Sequence, residues 1–315
     1  MIALGSQRSE EAPPGPSGVK AAIVGFVREF SIETTPAESA RRASYRQELR
    51  GGTRVYITAI AGAPFADAVA TARRLRAEGL VPVPHITARS VVDRPDLEER
   101  LRRLTGEAGA DEALLIAGDL TEPAGPYHSS VQLLETGLFD RYGFRRLGLA
   151  GHPEGSRMIG DANLAEALRR KNAFAARTNA ALHLVTQFAF EAAPVIAWDG
   201  AIRAAGNSLP IHAGVPGPAT LKSLLNYARL CGIGASTRAL TRHAGGFARL
   251  LTVWHPGEVV AALARYRAED PACGIVQPHF YPLGGLGRTA RWVEALRAGD
   301  FALDDEGRPV VAAAG

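Results

Sequence analysis

The sequence predicts an α/β protein of the (β/α)8 barrel class, a single-domain TIM barrel, and three observations carry that expectation. Apolar, β-rich runs alternate with amphipathic helical stretches, the pattern of a parallel sheet. Eight such runs occur, enough to close a barrel. Polar and titratable residues are scarce inside the runs and gather at their C-terminal ends, where a barrel carries its active site. A doubly wound open sheet is the alternative. A chain of 315 residues has room for one such domain.

In chain order, residues 1–19 are Pro/Gly-rich and read as a mobile tail, leaving 20–315 as the barrel domain. The first strand is expected over 23–34, where the apolar run closes on SIETT, with a helix near 37–50. Further strands are expected at 54–60, 80–87, 112–117, 145–150, 182–188, 208–214 and 274–280. Helices near 64–78, 95–109, 128–141, 161–179, 193–206, 218–230 and 286–297 follow them, and one more over 255–268 precedes the last strand. Pro/Gly punctuation marks most of the joints. The strand ends bring forward Glu33, Thr58, His85, Asp119, His152, Glu154, Gln187, His212 and His279.

Composition narrows the function. A hydrophobic fraction of 46% and a charged fraction of 22% are ordinary for a soluble globular chain. The net charge is +4 and the pI is near 9.3. Many basic residues fall in pairs (Arg73-Arg74, Arg102-Arg103, Arg169-Arg170) that read as solvated helix faces, so nucleic acid is not favoured. No run of eighteen apolar residues and no signal peptide occurs, which argues against a membrane partner. Cys231 and Cys273 stand alone, each before a glycine, as reduced cysteines of a cytoplasmic protein do. A homo-oligomer is compatible with all of this.

Several chemistries lack their signatures. HExxH, GxSxG, GxxxxGK-S/T and a strand-borne GxGxxG are all missing. His85, His152, His212 and His279 show no metal-ligand spacing, so no metal is expected. GGLGRT at 284–289 suits either a phosphate-binding helix start or a plain glycine turn, and LRRK at 168–171 either a phosphate clamp or a solvated face. Glu33 stands out, because an unpaired carboxylate near the end of a buried strand costs several kcal/mol unless it is paired, at the rim, or kept for chemistry.

Taken in order, the strand ends resemble the methylenetetrahydrofolate reductases over roughly residues 28–290. FSIETTP is similar to the family's F-E-F/V-x-P opening, PHITAR to PH-I/L-TC, IAGD to LRGD, and AGHPEGS to AYPE-x-HP. LRRK is similar to the LKxK helix, VTQFAF to TQ-F/L-FF, HAGVPGP to the PG-I/L-x-P turn, and HFYPLGG to HFYTLN. The resemblance implies reduction of 5,10-methylenetetrahydrofolate to 5-methyltetrahydrofolate by NAD(P)H through FAD, within one-carbon metabolism and methionine biosynthesis.

It further implies Glu33 as general acid, kept protonated by an apolar strand setting, and Asp119 as a second catalytic carboxylate beside the pterin. Gln187, Asp119, Phe190 and Arg288 would bind the folate. Thr58, His85, Gly118, Asp119, Tyr127, His128, His152, Glu154, Arg170 and Lys171 would hold FAD, with Arg170 and Lys171 on its diphosphate. Ala117, His152, Ser156, Ala167 and Gly285 depart from the family's pattern, and four of the five fall on flavin-binding positions. FAD is therefore expected to bind more weakly than is usual for the family. A flavin-free reductase with direct hydride transfer is one alternative, and a non-catalytic folate-binding barrel serving a methyltransferase is another.

Overall fold

The computed structural model describes residues 16–156, 159–230 and 252–312. Eight parallel strands close a barrel: β1 (Ser31–Thr34), β2 (Arg54–Ile57), β3 (Val81–Thr87), β4 (Glu112–Ile116), β5 (Arg146–Gly151), β6 (Ala181–Phe188), β7 (Ile211–Pro216) and β10 (Ile275–Tyr281), with β10 pairing with both β7 and β1. Between β7 and β10 lies a short antiparallel pair, β8 (Ala219–Thr220) and β9 (Val253–Trp254). The single-domain (β/α)8 expectation holds.

Alternate residues of each strand face opposite ways. Ile32, Val55, Ile57, Leu115, Leu147 and Leu149 belong to the large apolar layer that includes the surrounding helices. Tyr56, Val83, Leu114 and Val185 form a separate cluster inside the barrel. Arg54 and Glu112, at the N-terminal ends of their strands, close the floor with two hydrogen bonds of 2.8 and 3.1 Å, and Arg146 approaches the same carboxylate at 3.6 Å. Above that floor the Tyr56 hydroxyl meets His183 Nε2 at 2.9 Å, and the His183 ring stacks on His212 with centroids 4.1 Å apart. Bulky branched residues usually fill such an interior. Here much of it is polar.

Three element expectations are corrected. Most of the segment expected to open the first strand is helix, Pro16–Val27, and β1 is only Ser31–Thr34. Val19, Ile23, Phe26 and Val27 are buried on one face of that helix, a helical spacing, and it packs against the helices Gly257–Glu269 and Leu286–Ala298. The boundary expected at 19/20 thus falls inside this helix, while residues 1–15 lie outside the described residues. The helix expected over 37–50 stops at Arg41, and Tyr45, fully buried, anchors the turn after it by a hydrogen bond between its hydroxyl and Thr34 Oγ1. The helix expected over 128–141 divides into Ser130–Glu135 and Leu138–Arg141, broken at Gly137, whose φ of 70° is left-handed.

Candidate functional site at the barrel mouth

Glu33 is the penultimate residue of β1 and points its carboxylate into the mouth among groups from three other strand ends. Thr58 Oγ1, just past β2, donates to Oε2 at 3.1 Å. His279 Nε2, from β10, lies 3.2 Å from Oε1. His85 Nε2, from β3, lies 3.5 Å from the same oxygen and has no other hydrogen-bond partner. Because an ionised carboxylate only accepts, His279 donates through Nε2, and its Nδ1 lies 2.8 Å from Ser31 Oγ. Ser31 thereby fixes the ring orientation of His279, and the Tyr56 ring packs edge-on against it at 4.5 Å.

The charge state of Glu33 differs from the sequence expectation. Burial pushes its pKa up, but the hydrogen bond from His279, the longer contact with His85 and the charge of both imidazoles outweigh it, so the carboxyl sits well below the usual carboxylate range. The setting is apolar along the strand but not around the carboxylate, because the end of a short β1 carries Glu33 into the polar ring.

Gln187 is placed by a local irregularity. The β6–β7 register shifts between Val185 and Phe188. There Thr186 Oγ1 donates to Gln187 O and accepts from Gly214 N at 2.7 Å, replacing a ladder bond. Position 214 must be glycine, since a Cβ there would stand 2.5 Å from Gln187 O. Tyr281 donates to Thr186 O at 2.8 Å, which ties β10 to the same bulge. Gln187 shares a small recess with Glu154, Pro153 and Phe188. Phe190 is buried in an apolar wall with Phe188 and Trp254, backed by Leu221 and Leu224.

The remaining expected residues are spread more widely. Asp119 is exposed on the loop after β4, past Gly118, with no hydrogen bond or ion pair among the described residues. Tyr127 packs against the outer apolar layer. His128 is exposed, and its backbone N–H donates to Gln132 at 2.7 Å at the start of a helix. Burial and the nearby Lys171 charge push the His152 pKa down to about 4. Lys171 is itself buried, donates to Ala150 O at 2.7 Å, and has its pKa pushed down by burial to about 8. Arg170 forms an ion pair with Glu135 at 2.6 Å on the exposed helical surface.

Arg170 and Lys171, expected on an FAD diphosphate, are thus each engaged with a different partner, Glu135 and Ala150 O. In GGLGRT, a Cβ at Gly284 would stand 2.1 Å from Pro218 O, so this glycine serves close packing. Arg288 is exposed on the first turn of the helix that follows, where its charge adds to burial in lowering the His255 pKa.

Sequence reasoning missed Ser31, Tyr56 and Arg89. Arg89 braces the β4 loop by donating to Leu120 O at 2.9 Å. Ser31 and Tyr56 stand two residues from Glu33 and Thr58 on the same strand faces, which was the available signal. Cys231 lies outside the described residues, and the Cys273 thiol is pushed up to about 11 by burial. Among the described residues no helix is long and apolar enough to cross a membrane, and no three His, Cys, Asp or Glu side chains are grouped to hold a metal ion.

No protein-family profile matches the chain. A search of solved structures returns 114 matching chains, and a barrel so widely shared selects no activity by itself. One of them is an uncharacterized protein from Clostridium thermocellum that binds two copies of 5-methyl-5,6,7,8-tetrahydrofolic acid. It superposes with a TM-score of 0.58 at 11% identity, over 89% of this chain and 99% of that one. At that identity the likeness concerns the fold.

Proposed function

We propose that the chain binds a reduced folate in the barrel mouth and interconverts 5,10-methylenetetrahydrofolate and 5-methyltetrahydrofolate, with NAD(P)H as hydride donor. The observation that carries this reading is Glu33 held by Thr58, His279 and His85 at the strand ends. The ordered resemblance of the strand ends and the fold shared with a protein that binds 5-methyltetrahydrofolate support it.

The chemistry needs one proton and one hydride. Protonation of N10 opens the five-membered ring to an N5-iminium, and hydride from the nicotinamide reduces its methylene carbon to methyl. In the free site Glu33 is ionised. A bound pterin that excludes water disfavours the charged carboxylate, which makes a protonated Glu33 the donor when N10 is in place. Gln187, able to donate and accept, suits the amide-like edge of a pterin.

The engagement of Arg170 and Lys171 elsewhere does not fit an FAD diphosphate, which favours direct transfer from the nicotinamide. The test is steady-state NAD(P)H oxidation by flavin-stripped protein with methylenetetrahydrofolate, with and without EDTA. Turnover without flavin and insensitive to EDTA is expected. Tight binding of 5-methyltetrahydrofolate with no turnover, flavin added or not, would instead make the chain a folate-binding barrel for a methyltransferase partner.

A further inference from the structure

Gln187 owes its place to two hydroxyls. It stands in the β6–β7 irregularity, and an irregularity of this kind re-aims the side chains around it. The carbonyls on either side of its Cα both accept from side chains: Gln187 O from Thr186 Oγ1 at 2.8 Å, and Thr186 O from the Tyr281 hydroxyl at 2.8 Å.

Tyr281 reaches that oxygen from two strands away, because β7 lies between β10 and β6. The residue of β7 in register with both Phe188 and His279 is Gly214. A Cβ there would stand 2.6 Å from Thr186 O, the very atom that the hydroxyl meets, so the glycine leaves the passage open. The Tyr281 ring makes two further contacts, packing edge-on against His279 at 4.9 Å and against Phe188 at 5.3 Å. His279 in turn lies against Glu33. One side chain therefore touches both halves of the mouth, the strand end that carries Gln187 and the imidazole beside the acid.

We propose that Tyr281 is a positioning residue for the folate: it holds the Gln187 amide, which meets the pterin edge, at a set distance from the Glu33 carboxyl, which serves N10. The inference rests on the reduced-folate reading of the mouth. Hydrogen bonds weaken steeply with poor alignment, and an amide left free to move must be ordered when the ligand arrives, at a cost in affinity.

Tyr281→Phe keeps the ring against His279 and Phe188 and removes only the hydroxyl. Calorimetry on the full chain should show the Kd for 5-methyltetrahydrofolate raised by about 3–10-fold, the worth of one neutral hydrogen bond. Gln187→Ala should weaken binding as well, and adding Tyr281→Phe to it should change nothing further, because the hydroxyl acts through Gln187. In the ligand-free chain labelled with ¹⁵N, Tyr281→Phe should shift the Gln187 side-chain amide and leave that of Asn172, which is bonded to Leu168 O and Asn207 on the outer surface, in place. Unchanged affinity in Tyr281→Phe, a loss that adds in full to that of Gln187→Ala, or an unmoved Gln187 amide would overturn the proposal. A wild-type chain that binds no 5-methyltetrahydrofolate would overturn the reading of the mouth itself, and this inference with it.

Discussion

Glu33 at the mouth and Glu112 at the floor are each 8% exposed inside one barrel, but they keep different company. Glu112 is bound through two oxygens by Arg54, with Arg146 beside it, and guanidinium groups do not deprotonate in proteins. These ion pairs fasten β2, β4 and β5 together. Glu33 has a hydroxyl and two imidazoles, and no guanidinium among the described residues. Equal burial therefore yields a rivet at one end and a titratable cluster at the other, and the identity of the partners, not depth, makes the difference.

Neutralising each carboxylate separates the two roles. Glu33→Gln should lower folate-dependent NAD(P)H turnover by about 10²–10⁴-fold, while the unfolding free energy moves by under ~1 kcal/mol, because an amide can still accept from Thr58 and His279. A variant that unfolds without loss of specific activity in its folded fraction would make Glu33 a second rivet. Glu112→Gln should do the reverse, losing about 3 kcal/mol in urea unfolding as two guanidinium groups lose their buried counter-charge, with folate affinity of the folded protein unchanged.

Acid should expose the interior between these ends. Burial, followed by the charges of Arg146 and Arg54, pushes His183 down to about 3, and His152 lies near 4. Below pH 6.5 the unfolded chain takes up protons that these buried rings refuse. The stability they contribute is thus complete above about pH 6.5 and is lost as pH falls toward their folded values, at up to ~1.4 kcal/mol per pH unit for each. Glu33, whose folded pKa is lowered, adds a further loss below its ordinary range near 4.5. Urea midpoints measured from pH 7 to 4.5 should fall steadily, and His183→Gln should flatten that slope by about 1 kcal/mol per unit.

The smallest effect is expected outside the barrel. Arg170→Ala should change the affinity for added FAD by less than about threefold, since it breaks only a surface pair with Glu135. A loss of 10–100-fold in a fluorescence titration would mean that Arg170 leaves Glu135 for a phosphate.

The barrel was legible because its strands end where apolar runs meet Pro, Gly and polar residues, and seven of the eight lie within a few residues of their expected spans. The first was misread because an apolar run is ambiguous in kind. The spacing Val19, Ile23, Phe26, Val27 was the helical signal inside it. The pairing of Glu33 with His85 and His279 follows from barrel closure, which sets β10 beside β1 and is invisible to local pattern. The partner of Arg170 was equally illegible: Glu135, 35 positions away, meets it only through the fold.

The helix Pro16–Val27 is synthesised before any strand of the barrel, yet the two helices it packs on follow roughly 230 residues later. At ribosomal rates of about 5–20 residues per second its apolar face waits some 10–50 s for them. During that interval Ile23, Phe26 and Val27 are exposed apolar surface rather than a core. Closure of the barrel and rescue of its leading helix become one late event, so a chain cut short before residue 257 gains neither.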